Sequence, residues 1–161
     1  MPSRSSRRSA GILLHRGQGD SLEVLLVHPG GPVWAKRDVG AWSIPKGEYV
    51  DGENPLAAAR REFEEELGSA PPDGEAADLG EIRQKSGKWV HAWALEGDLD
   101  LAAVHSNTFE FEWPPRSGKL IEVPEVDRAE WFGLDAARGK INAGQVPLLD
   151  RLVQLLGNHV A

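Results

Sequence analysis

The chain has 161 residues, a formal net charge of -7 and no cysteine. This length corresponds to one domain of ordinary size, and the lack of cysteine excludes disulfides and thiolate metal sites. The negative charge argues against broad electrostatic binding of duplex nucleic acid. It does not exclude a small phosphorylated ligand, because bound divalent cations can invert the local charge of an acidic pocket.

The N-terminus is basic and poor in apolar residues. Residues 1–8, MPSRSSRR, lack the apolar region of a signal peptide, and we interpret them as a flexible leader before a single domain at 9–161. No apolar run approaches the roughly 18 residues that a membrane-spanning helix needs. We therefore expect a soluble, cytoplasmic protein that does not contact membranes and that is a monomer or a homodimer.

A hairpin and a helix are predicted in the first half of the chain. Apolar runs at 11–16 (GILLHR) and 22–28 (LEVLLVH) flank the turn-rich GQGDS and predict a β-hairpin. A loop rich in Gly, Pro and Trp follows, and WSIPKG at 42–47 leads towards a helix predicted over 55–67. This helix has Asn54 as a favourable N-cap, Pro at its first position and Gly just after its end.

The second half alternates between short extended runs and helical patterns. Strands are predicted at 79–84 and 89–98, as a second hairpin around KSGK, and then at 109–113 and 130–132. Two helical segments end the chain, LDAARGKI and the amphipathic PLLDRLVQLLG. Strands mixed with helices in one chain predict an α+β or mixed α/β domain.

The helix predicted over 55–67 has an apolar and an acidic face. At about 100° per residue, a stripe of side chains is expected to contact the core: Leu56, Ala59, Phe63 and Leu67. Glu62, Glu65 and Glu66 have i, i+3 and i+4 spacing and share an adjacent face. A hard divalent cation such as Mg²⁺ would relieve their repulsion, because it prefers oxygen ligands. The alternatives are a solvated acidic face and a protein-interaction helix.

The same residues fit a longer pattern. Gly47, Glu53 and the run REFEEELG at 61–68 have a spacing that resembles the Nudix box, the signature of the Nudix hydrolase family. The last position of the box is usually aliphatic and is Ser69 here, a departure that affects a packing contact and no chemistry. Three further segments are similar to the family: SAGILL, WSIPKG and EWFGLDAA.

The resemblance implies a fold, a reaction and a cofactor. Nudix hydrolases have a mixed β-sheet sandwiched between α-helices, and they cleave a diphosphate linkage in a nucleoside diphosphate attached to another group, using Mg²⁺ or Mn²⁺. Carried over to this sequence, the metal-binding and catalytic carboxylates are Glu62, Glu65 and Glu66. The carbonyl of Lys46 matches an additional metal ligand, and Glu53 with Arg61 matches the pair that orients the helix and supports the ligands.

One carboxylate must also accept a proton from the attacking water. Glu62 is the first candidate for this general base. Acids in predicted loops and extended segments are the rivals: Glu110, Glu112, Glu122 and Glu125. The sequence leaves this choice open.

Weaker motifs bear on the substrate. WSIPKG at 42–47 and RQKSGKWVHAW at 83–93 resemble the diadenosine polyphosphate hydrolase branch of the family, which favours a dinucleoside polyphosphate. The residues predicted to contact it are cations for phosphates and rings for bases: Lys46, Trp42, Trp113, Arg116 and Lys119. Trp34 and Phe111 are further aromatic candidates. The alternatives are a (deoxy)nucleoside triphosphate, including oxidised forms, a nucleotide sugar, and a catalytically silent nucleotide sensor.

Overall fold

The computed structural model describes residues 8–157. Within this part of the chain, eight strands and three α-helices follow one another: β1 Arg8–Arg16, β2 Glu23–Pro29, β3 Lys46–Glu48, α1 Pro55–Leu67, β4 Ala77–Arg83, β5 Trp89–Glu96, β6 Thr108–Glu112, β7 Leu120–Pro124, β8 Val126–Gly133, α2 Leu134–Lys140 and α3 Val146–Gly157. Residues 1–7 of the predicted leader lie outside the described residues. Strand β1 begins at Arg8, the last residue of that leader. None of the helices described is long and apolar enough to cross a membrane.

One mixed sheet organises the chain. Its strand order is β4-β5-β1-β2-β8, and β3 also pairs with β1. Strands β1 and β5 are parallel, whereas the other pairs in this sheet are antiparallel. Both predicted hairpins, β1–β2 and β4–β5, are confirmed. Strand β8 is longer than the predicted 130–132, because it pairs with β2 from Val126 to Gly133.

Helices cover both faces of this sheet. Successive side chains of a strand point to opposite faces, so Leu25 and Val27 of β2 join one apolar cluster while Val24 and Leu26 join another. Helix α1 packs on the first cluster through fully buried side chains: Ala58, Ala59, Phe63 and Leu67. Helices α2 and α3 pack on the second: Ala137, Leu148, Leu149 and Leu152. The predicted fold, a mixed sheet between helices, is confirmed.

Helix α1 begins and ends where the sequence predicts. The side chain of Asn54 accepts a hydrogen bond from the Ala57 amide at 3.0 Å, and Pro55 is the first helical residue. Gly68 ends the helix with a φ of 75°, a left-handed conformation that glycine adopts readily. In the predicted apolar stripe, Leu56 is half-buried and the other three residues are buried. The register of the helix therefore directs its acidic face away from the core.

Strands β6 and β7 form a separate hairpin with PPRSGK as its turn. Side chains alternate along a strand, so Phe109 and Phe111 share one face of the hairpin. Glu110 lies directly across from Glu122 on the other face. Strand β7 is not predicted from the sequence, because its extended conformation depends on pairing with β6.

Candidate functional site

The acidic face of α1 lies against the start of β3. A Cβ atom on Gly47 would lie 1.8 Å from Oε1 of Glu62, so the Glu62 carboxylate occupies space that only a glycine leaves free. Any side chain at position 47 would displace that carboxylate. The same helical face presents Glu65 and Glu66 beside it.

Arg61 holds three carboxylates together. Its Nε lies 3.1 Å from Oε2 of Glu53, and its Nη1 lies 2.7 Å from Oε2 of Glu62 and 3.4 Å from Oε1 of Glu65. The predicted pairing of Arg61 with Glu53 is thereby confirmed. Since Glu53 precedes α1 while Glu62 and Glu65 lie on it, one guanidinium joins the loop to the helix and orients both helical carboxylates.

Glu66 is the most enclosed of the three helical acids. It lines a cavity of about 120 Å³ together with Lys46 and Glu125, and its buried Oε1 has no hydrogen-bond partner. Burial raises the pKa of Glu66 to about 8; the ammonium of Lys46 opposes this shift, and the charges of Glu125 and Glu62 add to it. An unpartnered buried carboxylate is unfavourable until a proton or a cation satisfies it.

The pKa values of two further acids are raised beside this cavity. Burial raises the pKa of Glu62, and the negative charge of Glu65 adds to the increase while Arg61 opposes it. Burial also raises the pKa of Glu125, again with a contribution from the charge of Glu65. Burial is thus the main cause of both increases in pKa, and repulsion from the Glu65 carboxylate adds to them.

Lys46 is half-buried beside these acids. Burial lowers its pKa, and the charge of Lys88 acts in the same direction, whereas the charges of Glu66, Glu48 and Glu62 oppose the shift. A bound phosphate next to Lys46 would favour its charged form. The residue is thus an enclosed cation at the border of the acidic cavity rather than an ordinary exposed lysine.

Of the four acids predicted as rival bases, only Glu125 lines the acidic cavity. Backbone hydrogen bonds fix it there: the Asn107 amide donates to the Glu65 carbonyl at 2.9 Å, and the Glu125 amide donates to the Asn107 carbonyl at 2.8 Å. The other three acids, Glu110, Glu112 and Glu122, belong to the β6–β7 hairpin. There the Glu112 carboxylate accepts hydrogen bonds from two backbone amides of the turn.

Trp42 is buried in the core, contrary to the prediction that it contacts substrate. Its side chain is 1% exposed and belongs to the core cluster beneath α2 and α3. The indole packs edge-on against the rings of Phe132 and His28, at centroid distances of 4.9 and 5.2 Å, and its Nε1 donates to Oδ1 of Asp38 at 2.8 Å. The prediction was wrong because this part of the loop folds back beside β2, which carries the ring inwards.

The other residues predicted to contact substrate lie towards the end of the β6–β7 hairpin. Trp113 stacks on Phe111 with ring centroids 6.2 Å apart. Arg116 and Lys119 are exposed in the turn. The six residue-to-residue steps of extended chain from Lys119 to Glu125 span about 20 Å at the usual rise of a strand. The fold therefore does not bring these two cations to the acidic cavity.

A second cavity adjoins the acidic one and is lined by Trp34 and Phe109, among others. Phe109 is absent from the residues predicted to contact substrate. It could have been predicted from the alternation in FEFEW at 109–113, which places Phe109 on the same face as Phe111 and Trp113. No sequence pattern predicts that Trp34 lines the same cavity as Phe109, because its loop reaches the hairpin only through tertiary structure.

The donor atoms at the acidic cavity suit a hard cation. Carboxylate and main-chain carbonyl oxygens are the ligands that Mg²⁺ and Mn²⁺ prefer, and the free Oε1 of Glu66 is one such donor. Within residues 8–157, no three acidic or histidine side chains already converge as ligands. Glu62 and Glu65 instead contact Arg61. The residues fit a divalent cation by their chemistry, and binding would redistribute their contacts.

The family of the chain follows from sequence comparison. A family model described as the NUDIX domain matches residues 5–152, and the chain therefore belongs to the Nudix family. An RNA pyrophosphohydrolase from Roseobacter denitrificans is 29% identical over 139 residues, a match that covers 72% of this chain and 80% of the relative. The protein is a Nudix pyrophosphohydrolase, and Nudix enzymes are generally dependent on a divalent metal.

Solved structures agree on the fold. The chain is similar to the Ap4A hydrolase of C. elegans in a binary complex, with a TM-score of 0.65, 22% identity and coverage of 94% of this chain and 98% of the other. It is also similar to the NUDIX domain of Shewanella oneidensis NrtR complexed with ADP ribose, with a TM-score of 0.63, 17% identity and coverage of 94% and 88%. At these identities the likeness concerns the fold alone.

Proposed function

We propose that the protein cleaves a diphosphate linkage in a nucleoside diphosphate joined to another group, with Mg²⁺ or Mn²⁺ held by Glu62, Glu65 and Glu66. One observation carries the proposal: Glu66 is enclosed, its Oε1 lacks a partner, and its pKa is raised to about 8. A divalent cation would satisfy this oxygen and would relieve the repulsion among the carboxylates.

The neighbouring residues have distinct roles in this proposal. The bound metal would neutralise phosphate oxygens and lower the pKa of a water molecule. Arg61 is a positioning residue, because it holds Glu62 and Glu65 through direct contacts and is itself fixed by Glu53. Lys46 supplies its carbonyl as a further oxygen donor and its ammonium as a contact for a phosphate.

Two carboxylates are our candidates for accepting a proton from the attacking water, Glu62 and Glu125. Without a bound cation, burial and the charge of Glu65 raise the pKa of both, which makes each a stronger base than an ordinary glutamate. A cation held by Glu62 would oppose this shift at Glu62. Arg61 contacts Glu62 at 2.7 Å and stabilises its charged form, whereas Glu125 forms no ion pair in the described part of the chain. Glu125 therefore replaces the other three rival acids as the alternative to Glu62.

For the substrate, we propose a dinucleoside polyphosphate. A substrate with two bases can use two stacking surfaces, one near the cleaved linkage and one farther away. The β6–β7 hairpin continues its aromatic face outwards from Phe111 to Trp113, and the rings of these two residues are stacked. Arg116 and Lys119 at its end supply cations for the part of the substrate that is remote from the metal. The similarity in fold to an Ap4A hydrolase is compatible with this choice.

A second candidate is the release of pyrophosphate from an RNA end. It is favoured by the sequence relative from Roseobacter denitrificans, which is named RNA pyrophosphohydrolase. The net charge of -7 disfavours duplexes, but a single-stranded end presents bases that can stack on exposed aromatic rings. This candidate uses the same acidic cavity and differs only in the group attached to the diphosphate.

A substrate panel tests the proposal. We expect that, with Mg²⁺ present, diadenosine tetraphosphate is hydrolysed with a higher kcat/KM than ATP, dGTP, a nucleotide sugar or a 5′-triphosphorylated RNA, and that mass analysis finds ATP and AMP. Formation of two ADP molecules would contradict the position of cleavage. A preference for the RNA would support the second candidate. A preference for a mononucleotide or a nucleotide sugar would refute both substrates and leave the diphosphate chemistry intact.

A further inference from the structure

An apolar cavity of about 120 Å³ lies between the loop that follows β2 and the β6–β7 hairpin. Its walls are loop residues 30–34 and three hairpin side chains, Phe109, Phe111 and Val123. Trp34 is 37% exposed and Phe109 is 42% exposed. Large aromatic rings that remain open to solvent on both sides of one cavity offer surfaces on which a flat ligand can stack.

Two glycines let the loop approach the hairpin closely enough to form this cavity. A Cβ atom on Gly30 would lie 2.1 Å from the carbonyl oxygen of Pro124. Gly31 has a φ of +98°, and its Cβ would lie 2.8 Å from Cγ1 of Val123. Larger residues at these positions would push the loop, and Trp34 with it, away from the hairpin.

The apolar cavity lies next to the acidic cavity, because neighbouring residues of two chain segments line the two cavities. Pro29 lines the acidic cavity and the next residue, Gly30, lines the apolar one. On the facing chain, Val123 lines the apolar cavity and Glu125 lines the acidic one, with about 7 Å of strand between them. The Gly30 amide donates to the Glu125 carbonyl at 3.1 Å and joins the two walls. A nucleotide with a phosphate in the acidic cavity therefore has this apolar cavity as the nearest place for its base.

The cavity has few groups that could distinguish one base from another. Its lining side chains are glycine, proline, valine, phenylalanine and a single tryptophan. Two main-chain polar groups of the loop are already used, because the Gly30 amide donates to the Glu125 carbonyl and the Gly31 carbonyl accepts from the Trp34 amide at 3.3 Å. Stacking on aromatic rings tolerates any base, since every base has a π-face. Strong discrimination requires buried hydrogen-bonding groups.

Arg37 holds the indole of Trp34 in position. Its guanidinium lies 5.4 Å from the ring centroid, and the Arg37 amide donates to the Trp34 carbonyl at 2.9 Å. The Arg37 carbonyl is in turn 2.6 Å from Nε2 of the buried His28. The loop is therefore tied to β2, and the ring is prepared for stacking before a ligand arrives.

We propose that this apolar cavity binds the nucleobase next to the cleaved diphosphate by stacking alone, so that the enzyme does not distinguish adenine from guanine. The inference rests on the proposed function for the position of the phosphates. Trp34 and Phe109 supply the stacking surfaces, and neither takes part in the chemical step.

Calorimetric titration with AMP, GMP and ribose 5-phosphate tests the proposal. We expect the parent to bind AMP and GMP with equal Kd within about threefold, and Trp34→Ala to weaken both by at least about fivefold, because stacking contributes roughly 1–3 kcal/mol per base. Trp34→Phe should restore most of the affinity, and binding of ribose 5-phosphate should not change. Val39→Ala is the matched control, because Val39 lies in the same loop, is 79% exposed and does not line the cavity.

Three results would overturn the inference: a Trp34→Ala variant that binds like Val39→Ala, a parent that prefers one purine by more than about tenfold, and a parent that binds neither nucleotide at millimolar concentration. Binding is measured without turnover. A parent that binds neither nucleotide but still hydrolyses diphosphates would therefore contradict this inference alone, whereas Trp34-dependent binding without any hydrolysis would refute the proposed function.

Discussion

Glu62, Glu65 and Glu66 share one face of α1 but have different surroundings. Glu62 and Glu65 contact Arg61, while Glu66 lies in a cavity with Lys46 and has an unpartnered oxygen. The shared face could be predicted from spacing alone, because a helix places residues i, i+3 and i+4 together. The difference in surroundings could not, because Lys46 reaches the cavity from β3 through tertiary packing.

Arg61→Ala should lower both stability and activity. Its guanidinium contacts Glu53, Glu62 and Glu65 and is partly exposed. Loss of such a network should cost about 1–2 kcal/mol, which corresponds to a decrease in Tm of several degrees. We expect kcat/KM to fall as well, because Glu62 and Glu65 lose the group that orients them. Arg60→Ala is the control. An unchanged Tm together with an unchanged rate would refute the positioning role.

At the scale of elements, local signals predicted the parts of the fold that local forces determine. Helix α1 has its cap at Asn54 and its end at Gly68, and both are encoded within a few residues of the helix. Strand β7 and the burial of Trp42 depend instead on partners distant in sequence. A loop tryptophan with turn residues around it reads as exposed unless its contact with Phe132 is known.

Strand β3 and helix α1 meet where Gly47 lies against the side chain of Glu62. Gly47→Ala should lower kcat by more than about tenfold while changing Tm little, because the new Cβ meets the flexible end of the Glu62 side chain, which can move. Gly139→Ala is the matched control, since a Cβ there meets nothing within 4 Å. Circular dichroism melting and initial rates provide both readouts. A Gly47→Ala variant with parental activity would show that the position of Glu62 does not matter.

At the scale of the whole molecule, the two cavities form where distant segments meet. Glu125 follows the β6–β7 hairpin, and Asn107 bridges its backbone to that of Glu65 on α1. No short-range pattern selects Glu125 from the other glutamates predicted as rivals, because their local sequences are equally acidic and extended. The sequence predicted which helix has the acidic face, whereas the tertiary fold determines which further acid lines the cavity beside that face.

The stability of the molecule should depend on pH through His15. This residue is 5% exposed, and its Nδ1 has no partner. Burial lowers its pKa from 6.5, and the charge of Glu96 offsets this only in part. The unfolded chain then binds the proton more readily than the folded protein. The contribution of His15 is therefore complete above pH 6.5 and is lost as pH falls towards the lower folded pKa.

The effect of His15 on the free energy of unfolding must be measured against a His15→Gln variant. The acids with raised pKa values change the stability with pH in the opposite direction. Glu66 penalises the folded state as pH rises from 4.5 towards about 8. Urea unfolding of the parent and of His15→Gln at about pH 7.5 and about pH 5 isolates the histidine. We expect the parent to lose more free energy of unfolding than the variant between the two pH values. Equal losses would show that His15 does not titrate differently in the folded state.

The central claim is that Glu65 and Glu66 support metal-dependent hydrolysis, and the Mg²⁺-dependent kcat of three variants tests it most directly. Glu65→Gln and Glu66→Gln each remove one charge at nearly constant volume, and Glu64→Gln does the same on the exposed face of α1. At saturating Mg²⁺ and with the best substrate of the panel, we expect kcat to fall more than about tenfold in the first two variants and to stay parental in Glu64→Gln, with all three folded. Activity within about threefold of the parent for both Glu65→Gln and Glu66→Gln would contradict the account.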